Sequence, residues 1–247
     1  MDIQSYQELL LWRPQPLKAL VANGILYEQT KAVLFGDPKL GKSLLAQQLA
    51  FCLARGQAFL GFNTMPCKVL YLQSEISRIL FKERVEATGK GIGQVIPNGQ
   101  LYFSTMFGFH LDKDAASTDL AKEVGRLKPD VVILDPKYKL VSSNDENSII
   151  RLTDTIDKLI SNFGVTVILI DHARKPRMAS SGSIVDMGGT ELRGPIIEQW
   201  ADSIIRLQGD LATDSRLMSF ELRHAATLMG PKQIRLDRHT LWFREVT

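Results

Sequence analysis

Four runs of nearly unbroken apolar residues punctuate the chain: KAVLF at 31–35, KVLYLQ at 68–73, VVILD at 131–135 and VTVILID at 165–171. A strand with one wet face alternates apolar and polar side chains, whereas a strand covered on both faces does not. Runs of this kind therefore predict buried parallel strands. Segments of helical period lie between them. Residues 43–55 place Leu45, Leu49, Cys52 and Leu53 at helical spacing and stop at Gly56, a suitable C-cap. Ser77 can cap a helix reaching Thr88, and Ser148 another reaching Asn162, with Ile149, Leu152, Ile156, Leu159 and Ile160 on one face. This alternation predicts an α/β fold, a mostly parallel central sheet flanked by helices. After Asp202 the pattern changes: DSIIRLQ, RLMSFELRH, KQIRLDR and LWFREV follow one another with only turn signals between them, which predicts C-terminal antiparallel strands. Residues 1–30 read as an N-terminal arm, with Pro14 and Pro16 breaking any helix begun between Leu9 and Trp12, and residues 31–247 as a single domain.

Composition narrows the class without changing this outline. The 247 residues are 45% hydrophobic and 23% charged, which excludes a disordered or low-complexity chain. No apolar run approaches the length of a membrane span, and the N-terminal MDIQSYQELLLWRPQP has no basic segment leading into an apolar one. A cytoplasmic protein without a membrane partner is the expectation. Cys52 and Cys67 suggest neither a disulfide framework nor a zinc site. The formal charge of +3 is too small to demand a nucleic-acid partner.

Residues 36–43 read GDPKLGKS and satisfy G-x-x-x-x-G-K-[ST] between the first long strand and the first helix, where a phosphate-binding loop belongs. In such a loop the backbone from Gly36 through Asp37, Pro38, Lys39, Leu40 and Gly41 to Leu44 wraps the phosphates, helped by the helix N-terminus. Lys42 then reaches the β- and γ-phosphates of ATP, and the Ser43 hydroxyl ligates Mg²⁺. A chance glycine-rich turn is the plain alternative, and the strand–loop–helix context argues against it.

Hydrolysis requires more than binding. Asp135, ending VVILD, is placed to hold Mg²⁺ through water beside Ser43, although a turn-forming acid before Pro136 has the same sequence. Because proline follows Asp135, the general base must come from elsewhere. Glu75, after KVLYLQ, leaves a strand at the carboxyl edge, where ligands of parallel sheets bind, and is the candidate base. Its alternative is a helix-start acid favoured by the macrodipole.

The series GDPKLGKS, LARGQAFLGF, VLYLQSE, VVILDP, VILIDHARK and GGTELRG resembles the RecA-like P-loop ATPases, and most of all the RepA-type branch of small hexameric plasmid replicative helicases. The resemblance covers roughly residues 20–225. It implies a Mg²⁺-dependent ATPase working as a homo-oligomeric ring on single-stranded DNA, with sites between subunits. It also implies that Glu75 polarises water, that His172 is a sensor of the γ-phosphate, and that Arg206 is an arginine finger to the next subunit. Many relatives carry two histidines where this chain has Asp171 and His172. Arg223 falls where related motors have a second cation, usually lysine.

Two loops offer basic residues to a nucleic acid. Lys137 and Lys139 flank Tyr138, an arrangement able to follow a phosphate backbone and stack on a base. Arg174, Lys175 and Arg177 follow the fourth strand. Ordinary solvated loops have the same composition. The competing functions are an oligomeric ATP-dependent switch or loader without strand displacement, and a small-molecule kinase, in which Glu75 would have no task.

Overall fold

The computed structural model describes residues 3–173, 195–225 and 228–246. A short helix, α1 (Tyr6–Leu11), opens the chain, held by a reciprocal pair of hydrogen bonds between Ser5 and Glu8. None of its residues is buried. Two short strands, β1 (Ala19–Val21) and β2 (Leu26–Tyr27), pair in antiparallel fashion, and with the turn between them they send Leu20, Val21, Ile25 and Leu26 into the core.

The central sheet has nine strands in the order β11-β10-β9-β8-β3-β7-β6-β4-β5. In chain order its elements are β3 (Lys31–Gly36), α2 (Lys42–Arg55), β4 (Val69–Gln73), α3 (Arg78–Ile92), β5 (Leu101–Thr105), α4 (Asp114–Leu127), β6 (Val131–Asp135), α5 (Glu146–Phe163), β7 (Thr166–Ile170), α6 (Pro195–Trp200), β8 (Ser203–Gln208), β9 (Ser215–Leu222), β10 (Lys232–Asp237) and β11 (Trp242–Glu245). A single 3₁₀ turn, Lys137–Lys139, separates β6 from α5 among the described residues. Strands β8, β3, β7, β6, β4 and β5 are parallel, and β9 to β11 are antiparallel. The four apolar runs are thus the buried centre of a parallel sheet.

Successive residues of these strands face opposite sides and build two cores. Tyr71, Ile133 and Ile168 pack with Leu45, Leu49 and Phe81 of α2 and α3, together with Trp242 and Phe243 of β11. Leu72, Val132 and Leu169 pack on the other side with Leu120 and Val124 of α4 and Leu152 and Ile156 of α5. Cys52 and Cys67 are buried free thiols, and burial pushes both up to about 12.

Some boundaries differ from the sequence reading for definite reasons. DSIIRLQ is β8, which runs parallel to β3, so the antiparallel part begins only at β9. Helix α5 is capped by Asp145, whose carboxylate accepts from the Ser148 backbone N–H at 2.9 Å, and Ser148 lies inside the first turn. Helix α3 does start after Ser77 but continues to Ile92, where Gly93 adopts a left-handed conformation. A short helix does form ahead of Pro14 and Pro16, at Tyr6–Leu11, and it ends before them.

Candidate nucleotide-binding site

The loop 36–43 leaves the carboxyl end of β3 in the middle of the sheet. Two of its residues must be glycine. A Cβ on Gly36 would lie 2.1 Å from the Leu207 carbonyl oxygen of neighbouring β8. Gly41, at φ 95°, caps α2, and a Cβ there would meet the Phe243 ring at 2.8 Å. Asp37, Pro38 and Lys39 form the exposed crest, with Lys39 also at positive φ (69°). Leu40 is buried, its carbonyl accepting a hydrogen bond from Arg216 Nε at 3.0 Å. Leu44 packs against the core at the base of the loop. Lys42 curls back and donates to the carbonyls of Gly36 and Asp37 at 2.8 and 2.7 Å. Desolvation pushes its ammonium down to about 8, although Asp135 and Asp171 pull the other way.

Beneath this loop Asp135 ends β6 in a buried position at the floor of a cleft. Ser43 Oγ donates to Asp135 Oδ1 at 3.1 Å and Tyr71 Oη donates to Oδ2 at 2.5 Å. Burial raises the Asp135 pKa, and the two hydroxyl donors partly offset it. Burial likewise holds the Tyr71 phenol well above its ordinary range, so it remains a donor. Ser43 and Asp135 present hard oxygens side by side, and among the described residues there is no cluster of three or more His, Cys, Asp or Glu able to form a closed metal cage. That donor set fits Mg²⁺, which keeps waters and takes phosphate oxygens as ligands.

Glu75 faces the same cleft from the loop after β4. Gln73 fixes the backbone behind it, since its Oε1 accepts from the N–H groups of Glu75 and Ile76 at 3.0 Å each, and its Nε2 donates to the Ile76 carbonyl at 2.7 Å. Tyr138 Oη donates to Glu75 Oε1 at 2.9 Å. The Tyr138 ring also lies 5.2 Å from the His172 ring. A cleft of about 580 Å³ brings together Lys42, Ser43, Glu75, Arg84, Asp135 and His172. A second cavity, of about 610 Å³ between α4 and α5, contains none of them.

Other expected residues are placed differently. Lys137 is fully buried and ion-paired with Asp171 at 2.6 Å, which corrects its reading as a nucleic-acid contact: a side chain committed to an interior carboxylate does not reach a phosphate backbone. Lys139 is exposed, with its Nζ 5.3 Å from the Tyr138 ring centroid. Arg206 is half-buried on β8, its guanidinium 5.9 Å from the Phe35 ring, and does not line the cleft. Arg223 pairs with Asp202 at 3.3 Å and donates to the Gln199 carbonyl at 2.8 Å. Arg174, Lys175 and Arg177 lie outside the described residues.

Tyr71, Gln73, Arg84 and Arg216 escape a reading of the sequence alone. Tyr71 sits inside an apolar run, where a tyrosine reads as core, and it is core except for its hydroxyl. Gln73 is the polar residue that breaks the same run at its carboxyl end, and that break is the available signal.

A family model described as the AAA domain matches residues 4–178, well over half of the chain and all of the cleft residues just named. The chain belongs to the AAA-domain family. No curated protein matches it in sequence. Among solved structures, this AAA-domain chain is similar to the KaiC-like protein PH0186 from Pyrococcus horikoshii OT3, with a TM-score of 0.63, 15% identity, and coverage of 92% of this chain and 94% of that one. It is also similar to a second solved structure, described as an ATPase domain, with a TM-score of 0.66, 15% identity, and coverage of 90% and 86%. At that identity the likeness is one of fold, and the fold is RecA-like. The protein is a RecA-like P-loop ATPase of the AAA-domain family.

Proposed function

We propose that this ATPase is a Mg²⁺-dependent motor of the RepA type that acts on single-stranded DNA as a homo-oligomeric ring. The observation that carries the catalytic part is the meeting of Lys42, Ser43, Asp135 and Glu75 in one cleft at the carboxyl edge of the sheet. In this reading the phosphates of ATP replace the Gly36 and Asp37 carbonyls as partners of Lys42, an exchange of neutral acceptors for anionic ones. Ser43 and, through water, Asp135 would hold Mg²⁺, which would supply charge neutralisation to the phosphates. Glu75 accepts a proton from the attacking water as its oxygen bonds to the γ-phosphorus and ADP leaves. His172, just after β7, lines the cleft as a γ-phosphate sensor, and Arg206, which does not line it, serves the neighbouring subunit as an arginine finger. The ATPase domain among the similar structures shares the fold that such a motor would use.

The DNA contacts in this proposal are Lys139 together with Arg174, Lys175 and Arg177. A second reading, an ATP-dependent switch or loader without strand displacement, is favoured by one observation: Lys137 is interior and Tyr138 is engaged with Glu75, which thins the basic surface of that turn. ATP turnover measured with and without single-stranded DNA, across protein concentration, tests the proposal. Turnover per subunit that rises with both DNA and concentration, accompanied by displacement of a strand from a tailed duplex, supports the motor. DNA stimulation without displacement supports the second reading, and turnover indifferent to DNA and concentration removes both the DNA partner and the shared site.

A further inference from the structure

The turn Lys137–Lys139 sends three consecutive side chains in three directions. Lys137 points inward to Asp171, which anchors the turn to the end of β7. Lys139 points to solvent. Tyr138, between them, reaches sideways across the cleft mouth to Glu75 and rests on the His172 ring. An interior ion pair is expensive to disturb once formed, so the position of the Tyr138 backbone is set by the protein core.

Glu75 is itself exposed, and an exposed glutamate samples several rotamers. Its backbone is fixed by Gln73, and its carboxylate has one hydrogen bond from a rigidly mounted hydroxyl. Burial and the nearby Glu75 and Asp135 charges hold the Tyr138 phenol up at about 12, so the hydroxyl remains a donor throughout the neutral range. With Oε1 engaged by Tyr138, the other carboxylate oxygen is the one left to face a water in the cleft.

We infer that Tyr138 is a positioning residue for hydrolysis: its hydroxyl holds the Glu75 carboxylate in the orientation that meets the attacking water. The inference rests on the proposed role of Glu75 as the base. It gives the KYK turn a task inside the site in place of base stacking on nucleic acid.

Tyr138→Phe removes the hydroxyl and keeps the ring against His172. The variant should lose about tenfold in kcat, the order expected for one hydrogen bond to a charged group, with KM for ATP changing less than about twofold. Binding of a non-hydrolysable ATP analogue checks that its site is intact. The same substitution is then placed in a Glu75→Gln background and followed by single-turnover release of labelled phosphate. If Tyr138 acts through Glu75, it has no further effect there. A Tyr138→Phe enzyme with wild-type or faster turnover overturns the inference, as does a tenfold loss that recurs in the Glu75→Gln background. Failure of the underlying reading is seen separately, as wild-type turnover by Glu75→Gln alone.

Discussion

The buried Arg216 guanidinium donates from Nε to the carbonyl of Leu40, a bond of 3.0 Å that joins β9 to the phosphate loop across 176 positions of sequence. Its Nη1 is shared among the carbonyls of Asp210, Thr213 and Ser215, at 3.0, 2.7 and 2.7 Å, so the turn between β8 and β9 and the loop are tied to one planar group. Arg216→Met leaves the buried Leu40 carbonyl, and the partly buried carbonyls of the turn, without their donor. A loss of about 3 kcal/mol in unfolding free energy is expected, together with weaker ATP binding. Urea denaturation and nucleotide titration measure the two effects. Arg216→Lys should not restore the loop, because one ammonium does not reproduce the spread of a guanidinium.

Lys137 and Asp171 form an interior pair, each side chain 1% exposed, at a separation of 2.6 Å. Removing one partner strands the other charge, and Lys137→Met should destabilise the fold by about 3–5 kcal/mol. The double variant Lys137→Met, Asp171→Leu should regain most of that loss, as read by the denaturation midpoint. A double variant as unstable as the single one would show that the pair does more than neutralise itself.

Lys42 predicts a pH signature in two measurements. Its folded pKa is lowered to about 8 by burial, below the ordinary 10.5, so the folded protein binds fewer protons than the unfolded chain between those values. Stability of the nucleotide-free protein should therefore rise with pH across that window, by about 3 kcal/mol for this group alone. Below pH 8 the buried charge opposes folding by its full amount. ATP binding requires the ammonium, so affinity should fall as pH rises above about 8, approaching tenfold per unit. Lys42→Met should abolish both slopes, which separates this lysine from other groups titrating in the alkaline range.

Gly36 admits no side chain. Its Cβ would lie 2.1 Å from the Leu207 oxygen, in the parallel pairing of β3 with β8. Gly36→Ala should force the two strands apart, cost several kcal/mol, and lower the yield of folded protein, with circular dichroism melts as the check.

How much of this is readable from the residues follows from their geometry. The central strands are plain because burial on both faces leaves an unbroken apolar run, as in VVILD and its three counterparts. Strand β5 is hidden because LYFST is half-buried at the sheet edge and mixes apolar with hydroxyl residues. Helix α4 is hidden for a related reason, since only Leu120 and Val124 of its residues are buried. The phosphate loop is legible because its chemistry is local and its spacing fixed. The bond between Tyr138 and Glu75 is hidden because the two are 63 residues apart, and Lys137 beside Tyr138 passes for a surface charge because its carboxylate follows another strand. Sequence spacing reveals what a single loop does, whereas side chains that meet across the sheet announce nothing until the strand order is known.

The clasp of β11 on α2 bears on the order in which the protein matures. Gln48 exchanges two hydrogen bonds with the backbone of Phe243, at 2.9 and 2.7 Å, and the Phe243 ring closes under Gly41. The phosphate loop is synthesised early, but its floor is supplied about two hundred residues later. During translation, then, a nascent chain that already displays the whole GDPKLGKS loop still lacks the surface that shapes it, and the shaped loop arrives only after β11 has emerged.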